Sequence, residues 1–167
     1  MKGHIWPALI LAAATAFSPI FAENDAAAAN RPAKEIVLSL PKGEKKTFRL
    51  AVAPYVSEGL ITLFPGDKIM VEFEIVSSAP KNPKVVSKML HPERTLELEM
   101  KQDAGITFVE RKSGFAQKLT MDCYFLTIGS DFKNHANMYP LEKGMGCGDG
   151  FEPKTYCIKF YDFGFER

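Results

Sequence analysis

The sequence predicts an all-β fold: a small antiparallel β-sandwich of immunoglobulin-like or cupredoxin-like architecture with one long C-terminal loop. Apolar residues recur at every second position in a series of short segments, the period of half-buried strands. Pro, Gly and Asp clusters that favour tight turns separate those segments. No stretch holds a helical period over three turns, which leaves sheet packed on sheet as the way to bury the apolar faces.

The chain starts MKGHIWPALILAAATAFSPIFA, with basic Lys2, an apolar run from Ile5 to Phe21 and small Ala22 before Glu23. This is the pattern of a secretory signal peptide over 1–22. Residues 23–33, polar and Ala-rich, read as a flexible leader, and 34–167 as a single β-sandwich domain, a length that suits one core. Ile36, Leu38 and Leu40 alternate with polar neighbours up to the turn Pro41-Lys42-Gly43. Phe48, Leu50 and Val52 form the next alternating set, and Leu60 to Phe64 a short strand before Pro65-Gly66-Asp67. Ile69, Val71, Phe73 and Ile75 give the clearest strand. Ser77 to Lys84, broken by Pro80 and Pro83, reads as a loop, and Val85 to Leu90 as either a helical turn or an edge segment. Leu96, Leu98 and Met100 alternate next, then Ile106 and Phe108, then Leu119, Met121, Cys123 and Phe125, and a last strand runs from Tyr156 to about Phe163.

Charge excludes two function classes. Of 21 basic and 20 acidic residues, the signal carries Lys2 alone, so 20 of each remain after cleavage and the net charge is zero. A balanced surface offers no footprint for nucleic acid, and after cleavage no segment is long and apolar enough to anchor the chain in a membrane. The expected location is the periplasm or the outside of the cell.

The chain has three cysteines. Strand parity puts Cys123 on the core side with Leu119, Met121 and Phe125, and Cys157 on the opposite side, with Lys159. Cys147 and Cys157, nine residues apart across a Gly-rich stretch, are the economical disulfide in an oxidising compartment, leaving Cys123 a buried thiol; a Cys123–Cys157 bridge is the alternative.

No cofactor is demanded by any motif, and copper is the metal the side chains would suit. A blue-copper site takes two His, a Cys thiolate and an axial Met, and His91, Cys123, His135 and Met138 supply those types. In LFPGDKIMVEF, residues Leu63 to Phe73, a Gly-Asp turn precedes a strand, and there the chain resembles the cupredoxin family. That resemblance implies an electron-carrying copper centre. Cupredoxins keep Cys, His and Met in one short loop, whereas eleven residues lie between Cys123 and His135 here. A Cu(I) chaperone would draw instead on His135, Met138 and Met145, with His91 and Met100. Asp131, Glu142, Asp149 and Glu152 are either oxygen donors for Ca²⁺ or solvated loop charges.

Between Gly129 and Thr155 no period is visible, and a connection this long is usually functional or disordered. Phe132, His135, Met138, Tyr139 and Phe151 are its candidate binding residues. There is no nucleophile elbow, zinc-protease pair or phosphate loop, and Glu72/Glu74 and Glu97/Glu99 read as outward, solubilising pairs. The functional expectation is an exported, non-catalytic protein of the cell envelope that recognises another envelope or secreted protein through 129–155. The alternatives are a periplasmic copper-binding protein using His/Met ligands and an enzyme of unrecognised type.

Overall fold

The computed structural model describes residues 29–103 and 105–166. The expected signal peptide and most of the leader lie outside the described residues. Fourteen strands follow one another: β1 (Asn30–Arg31), β2 (Lys34–Ser39), β3 (Lys45–Leu50), β4 (Ala53–Pro54), β5 (Val56–Ser57), β6 (Leu60–Leu63), β7 (Asp67–Val76), β8 (Ala79–Val86), β9 (Thr95–Asp103), β10 (Ile106–Ser113), β11 (Leu119–Thr127), β12 (Asn134–Asn137), β13 (Gly146–Phe151) and β14 (Thr155–Phe165). Short 3₁₀ turns occupy Pro41–Gly43 and Pro92–Arg94.

Two five-stranded antiparallel sheets form the sandwich. Sheet I has the order β13-β10-β9-β7-β8 and sheet II the order β12-β11-β14-β6-β5. Their inner faces supply one core. Val71, Phe73, Leu96, Leu98, Met100 and Val109 come from sheet I, and Ile61, Leu63, Leu119, Met121, Cys123, Ile158 and Phe160 from sheet II. These alternate along their strands with residues of the outer faces, Glu72, Glu97, Glu99, Thr120, Asp122 and Lys159 among them, as a sandwich requires. Phe73 contacts Phe115 and Phe163 at ring-centroid distances of 5.8 and 4.8 Å, bridging the layers with tilted rings.

The β2–β3 hairpin stands outside this core. Ile36 and Leu38 are buried, yet they belong to a separate contact set, and Phe48 of β3 stacks on Tyr156 of β14 at 5.5 Å. The end of the expected leader is tied down rather than free. Asn30 and Arg31 pair with Pro54 and Ala53. The Arg31 guanidinium lies between the rings of Tyr55 and Phe64, at 4.6 and 4.5 Å. It donates to Asp67 at 2.8 Å and to the Thr62 carbonyl at 2.6 Å. Lys34 donates to the other Asp67 oxygen at 2.6 Å.

Three sequence expectations change. Ser77 to Lys84 is not a loop: Ala79–Val86 forms β8, and its Pro80 and Pro83 are tolerated because β8 is an edge strand. In β10 the inner face carries Thr107, Val109, Arg111 and Ser113, whereas Ile106 is exposed and Phe108 half-buried, the reverse of the apolar pattern. Buried partners allow that inversion, since Thr107 donates to the Thr155 carbonyl and Arg111 to Asp149. The third change concerns residues 129–155.

Candidate functional site

The connection from Gly129 to Thr155 is a crossover that gives each sheet an edge strand. β12 pairs with β11, so that His135 lies opposite Tyr124 and Ala136 opposite Cys123. Leu141 then bridges to Leu119 and Lys143 to Ser113, and β13 pairs with β10. The glycines hid the second strand. In Gly146-Cys-Gly-Asp-Gly-Phe151 the positions alternate strictly, with Cys147, Asp149 and Phe151 half-buried and each Gly exposed. Glycine has low strand propensity, so the pattern does not read as a strand from composition.

This arrangement divides the expected binding residues. Met138 and Phe151 turn inward and pack on the core, Phe151 against Phe125 at 5.3 Å. Phe132 and Tyr139 stand out, 79% and 78% exposed, and His135 is also exposed. His135 belongs to an outer-face cluster on sheet II. Its Nδ1 is 3.0 Å from the Tyr161 hydroxyl. The Tyr124 ring lies 6.0 Å from both His135 and Tyr161, and Lys133 sits 4.9 Å over its face. Sequence reasoning missed Tyr124, Tyr161 and Lys133; their common parity across β11, β12 and β14 is legible only once the strand register is known.

The copper set is likewise split. Cys123 Sγ is 3.4 Å from Met138 Sδ and 3.7 Å from the Ala136 carbonyl. His135 is on the other face of β12, and His91 lies at the Pro92–Arg94 turn, 3.6 Å from Glu93. Burial pushes the Cys123 thiol up to about 11, against the opposing pull of the Arg111 guanidinium. Among the described residues no three His, Cys, Asp or Glu gather at one point. Of the four oxygen donors considered for Ca²⁺, Asp149 accepts from Arg111 Nε at 2.7 Å, and Glu142 lies 3.5 Å from Lys118.

The expected disulfide is corrected: all three cysteines are free. Cys147 packs against the inter-sheet core from the edge of sheet I. Cys157 pairs in register with Leu126 on the outer side of sheet II, away from inward Ile158, and is buried outside the main core. A sheet therefore separates the two thiols. The Cys157 thiol is also raised by burial, to about 11.

Arg111 is the unexpected residue of this region. Its side chain is fully buried at the β13 edge, with Nε on Asp149 and Nη1 donating to the Tyr139 carbonyl at 3.3 Å; Nη2 has no partner among the described residues.

Two concavities lie on the outer side of sheet I. A groove of about 870 Å³ crosses the sheet from Pro32 and Tyr55 over Met70, Glu97 and Lys112 to Gly146 and Gly148. Its charges are matched in rungs, Lys68 with Glu99 at 3.0 Å and Lys112 with Glu97 at 3.1 Å. A smaller one of about 370 Å³ is lined by His91, Glu72, Glu74 and Arg94. Its carboxylates are engaged, Glu72 by Arg94 at 2.6 Å and Glu74 by Asn82 at 2.6 Å. No helix among the described residues is long and apolar enough to cross a membrane. In comparisons with known proteins, no family model, curated protein or solved structure matches the chain.

Proposed function

We propose that this is an exported binding protein of the cell envelope, which recognises another envelope or secreted protein through the crossover 129–155. The observation that carries the reading is the exposure of Phe132, 79%, on a segment otherwise fixed to both sheets. A large exposed aromatic ring three residues before His135, which clusters with Tyr124 and Tyr161, has the composition of an interface centre, where aromatic residues dominate binding energy. The rigid support means little ordering cost on association.

The test is photocrosslinking in the producing cell with a benzophenone side chain at position 132, compared with the same group at exposed Val52 on the N-terminal elements. A discrete protein adduct from 132 alone is expected. No adduct, or the same adducts from both positions, overturns the reading.

One contact favours a second reading, copper handling. The sulfurs of buried Cys123 and half-buried Met138 stand 3.4 Å apart, and soft sulfur donors suit Cu(I). Competition for Cu(I) against a chromogenic chelator tests it. Binding lost in Met138→Leu and retained in His135→Ala supports a sulfur site, and binding absent or unchanged in both removes it.

A further inference from the structure

A sandwich of two open sheets has four edges, and three of them here are blunted. β8 carries Pro80, Lys81 and Pro83; β5 is two residues long; β12 is four residues long, with Lys133 before it and His135 within it. Short edges, prolines and lysines are the means by which proteins keep a free ladder from pairing with another chain. β13 has none of them. It runs for six residues without Pro, Lys or Arg and, among the described residues, is hydrogen-bonded to β10 alone. In an antiparallel ladder alternate residues of such a strand direct N–H and C=O away from the sheet.

The glycines of β13 sharpen the point. Gly146, Gly148 and Gly150 do not have positive φ, so the backbone does not require them. A Cβ at Gly146 or Gly148 would meet nothing within 4 Å, and at Gly150 it would find Phe108 at an ordinary 3.8 Å. Nothing among the described residues requires glycine there, although glycine in a strand costs roughly 0.5–1 kcal/mol relative to alanine. Glycine in a strand marks places where another backbone comes close, and none of the described residues supplies that backbone beside β13.

We propose that β13 is a self-association edge, where two copies of this chain pair their β13 strands antiparallel about a two-fold axis. A strand in register on itself places Gly148 opposite the partner's Gly148 and makes the glycine face continuous across both sheets. Charge favours a second copy as the occupant. The one charged side chain of β13, Asp149, is held by Arg111, so identical edges meet without like-charge repulsion. Met145, 53% exposed, immediately precedes the edge, and Tyr139, 78% exposed, is tied near it through its carbonyl on Arg111; both supply apolar cover. Two six-residue edges with two copies of each side chain bury on the order of 1,000 Å², the lower bound for a specific interface. The proposal uses a different part of the crossover 129–155 from the partner reading, which rests on Phe132 and the outer face of sheet II.

Sedimentation equilibrium of the purified, processed protein from micromolar to near-millimolar concentration tests it, alongside amide exchange of β13. A monomer–dimer equilibrium is expected, weakened about tenfold or more in Gly148→Lys, which sets like charges opposite each other at the axis. Gly148→Ala should leave the dimer in place. A chain monomeric at every concentration, or a dimer equally tight in Gly148→Lys, overturns the proposal. If Gly148→Lys does not fold, exchange in the unaltered protein decides: protection of β13 amides that rises with concentration supports the edge, and protection that stays flat overturns it.

Discussion

At the residue scale, Arg111 shows how a polar group changes what a strand pattern means. It faces inward on β10 because Asp149 and the Tyr139 carbonyl receive its donors. Removing Asp149 leaves a buried, uncompensated cation, so Asp149→Ala should lower unfolding stability by about 3 kcal/mol in urea melts. Replacing both partners by apolar residues, Arg111→Met with Asp149→Leu, should recover most of that loss. The thiols give a second prediction. Cys123 and Cys157 are raised to about 11 by burial. Their unfolded forms ionise first, near the ordinary thiol value of about 8.5. The folded state therefore holds protons that the unfolded state has lost, and stability should fall as pH rises from about 9 to 11. Double replacement by Ala should flatten the pH dependence of the melting temperature in that window. At neutral pH a thiol reagent should modify Cys147, the half-buried one, before the other two.

At the scale of elements, β7, β9 and β11 were legible because each has apolar residues on one parity and polar residues on the other, with ordinary strand formers throughout. β8 was hidden by its prolines and β13 by its glycines, both residues whose propensity argues against a strand while edge position permits one. The two kinds of glycine in this chain should behave oppositely. Gly114, between β10 and β11, lies so close to the Pro92 carbonyl that a Cβ would overlap it. Gly114→Ala should therefore displace the Pro92–Arg94 turn and cost about 2 kcal/mol or more of thermal stability. Gly146→Ala meets open space and should be neutral or stabilise by about 0.5 kcal/mol, as measured on the monomer.

For the whole molecule, the sandwich was legible, whereas the two sheets' membership was not. Register depends on which strands meet, and the crossover that joins β12 of one sheet to β13 of the other is set by long-range pairing rather than by local pattern. For the same reason the candidate surface was visible as a region, through Phe132, His135 and Tyr139, while Tyr124 and Tyr161 entered it only through the fold. The N-terminal strap spans both layers, with Arg31 donating to Thr62 in β6 and to Asp67 in β7. Arg31→Ala should lower global stability by about 2 kcal/mol and accelerate proteolysis of the N-terminal elements, because the Thr62 and ring contacts are lost and Asp67 keeps Lys34 as its remaining ion-pair partner.

The last strand has a place that bears on how the protein comes into being. β14, Thr155–Phe165, lies between β11 and β6 near the middle of sheet II. A chain delivered N-terminus first, from a ribosome or through a translocation channel, holds β5, β6, β11 and β12 with no common strand to join them until Phe165 has emerged. Folding of the second layer thus waits on delivery of β14, and sheet II stays threadable for as long as Thr155–Phe165 is held back.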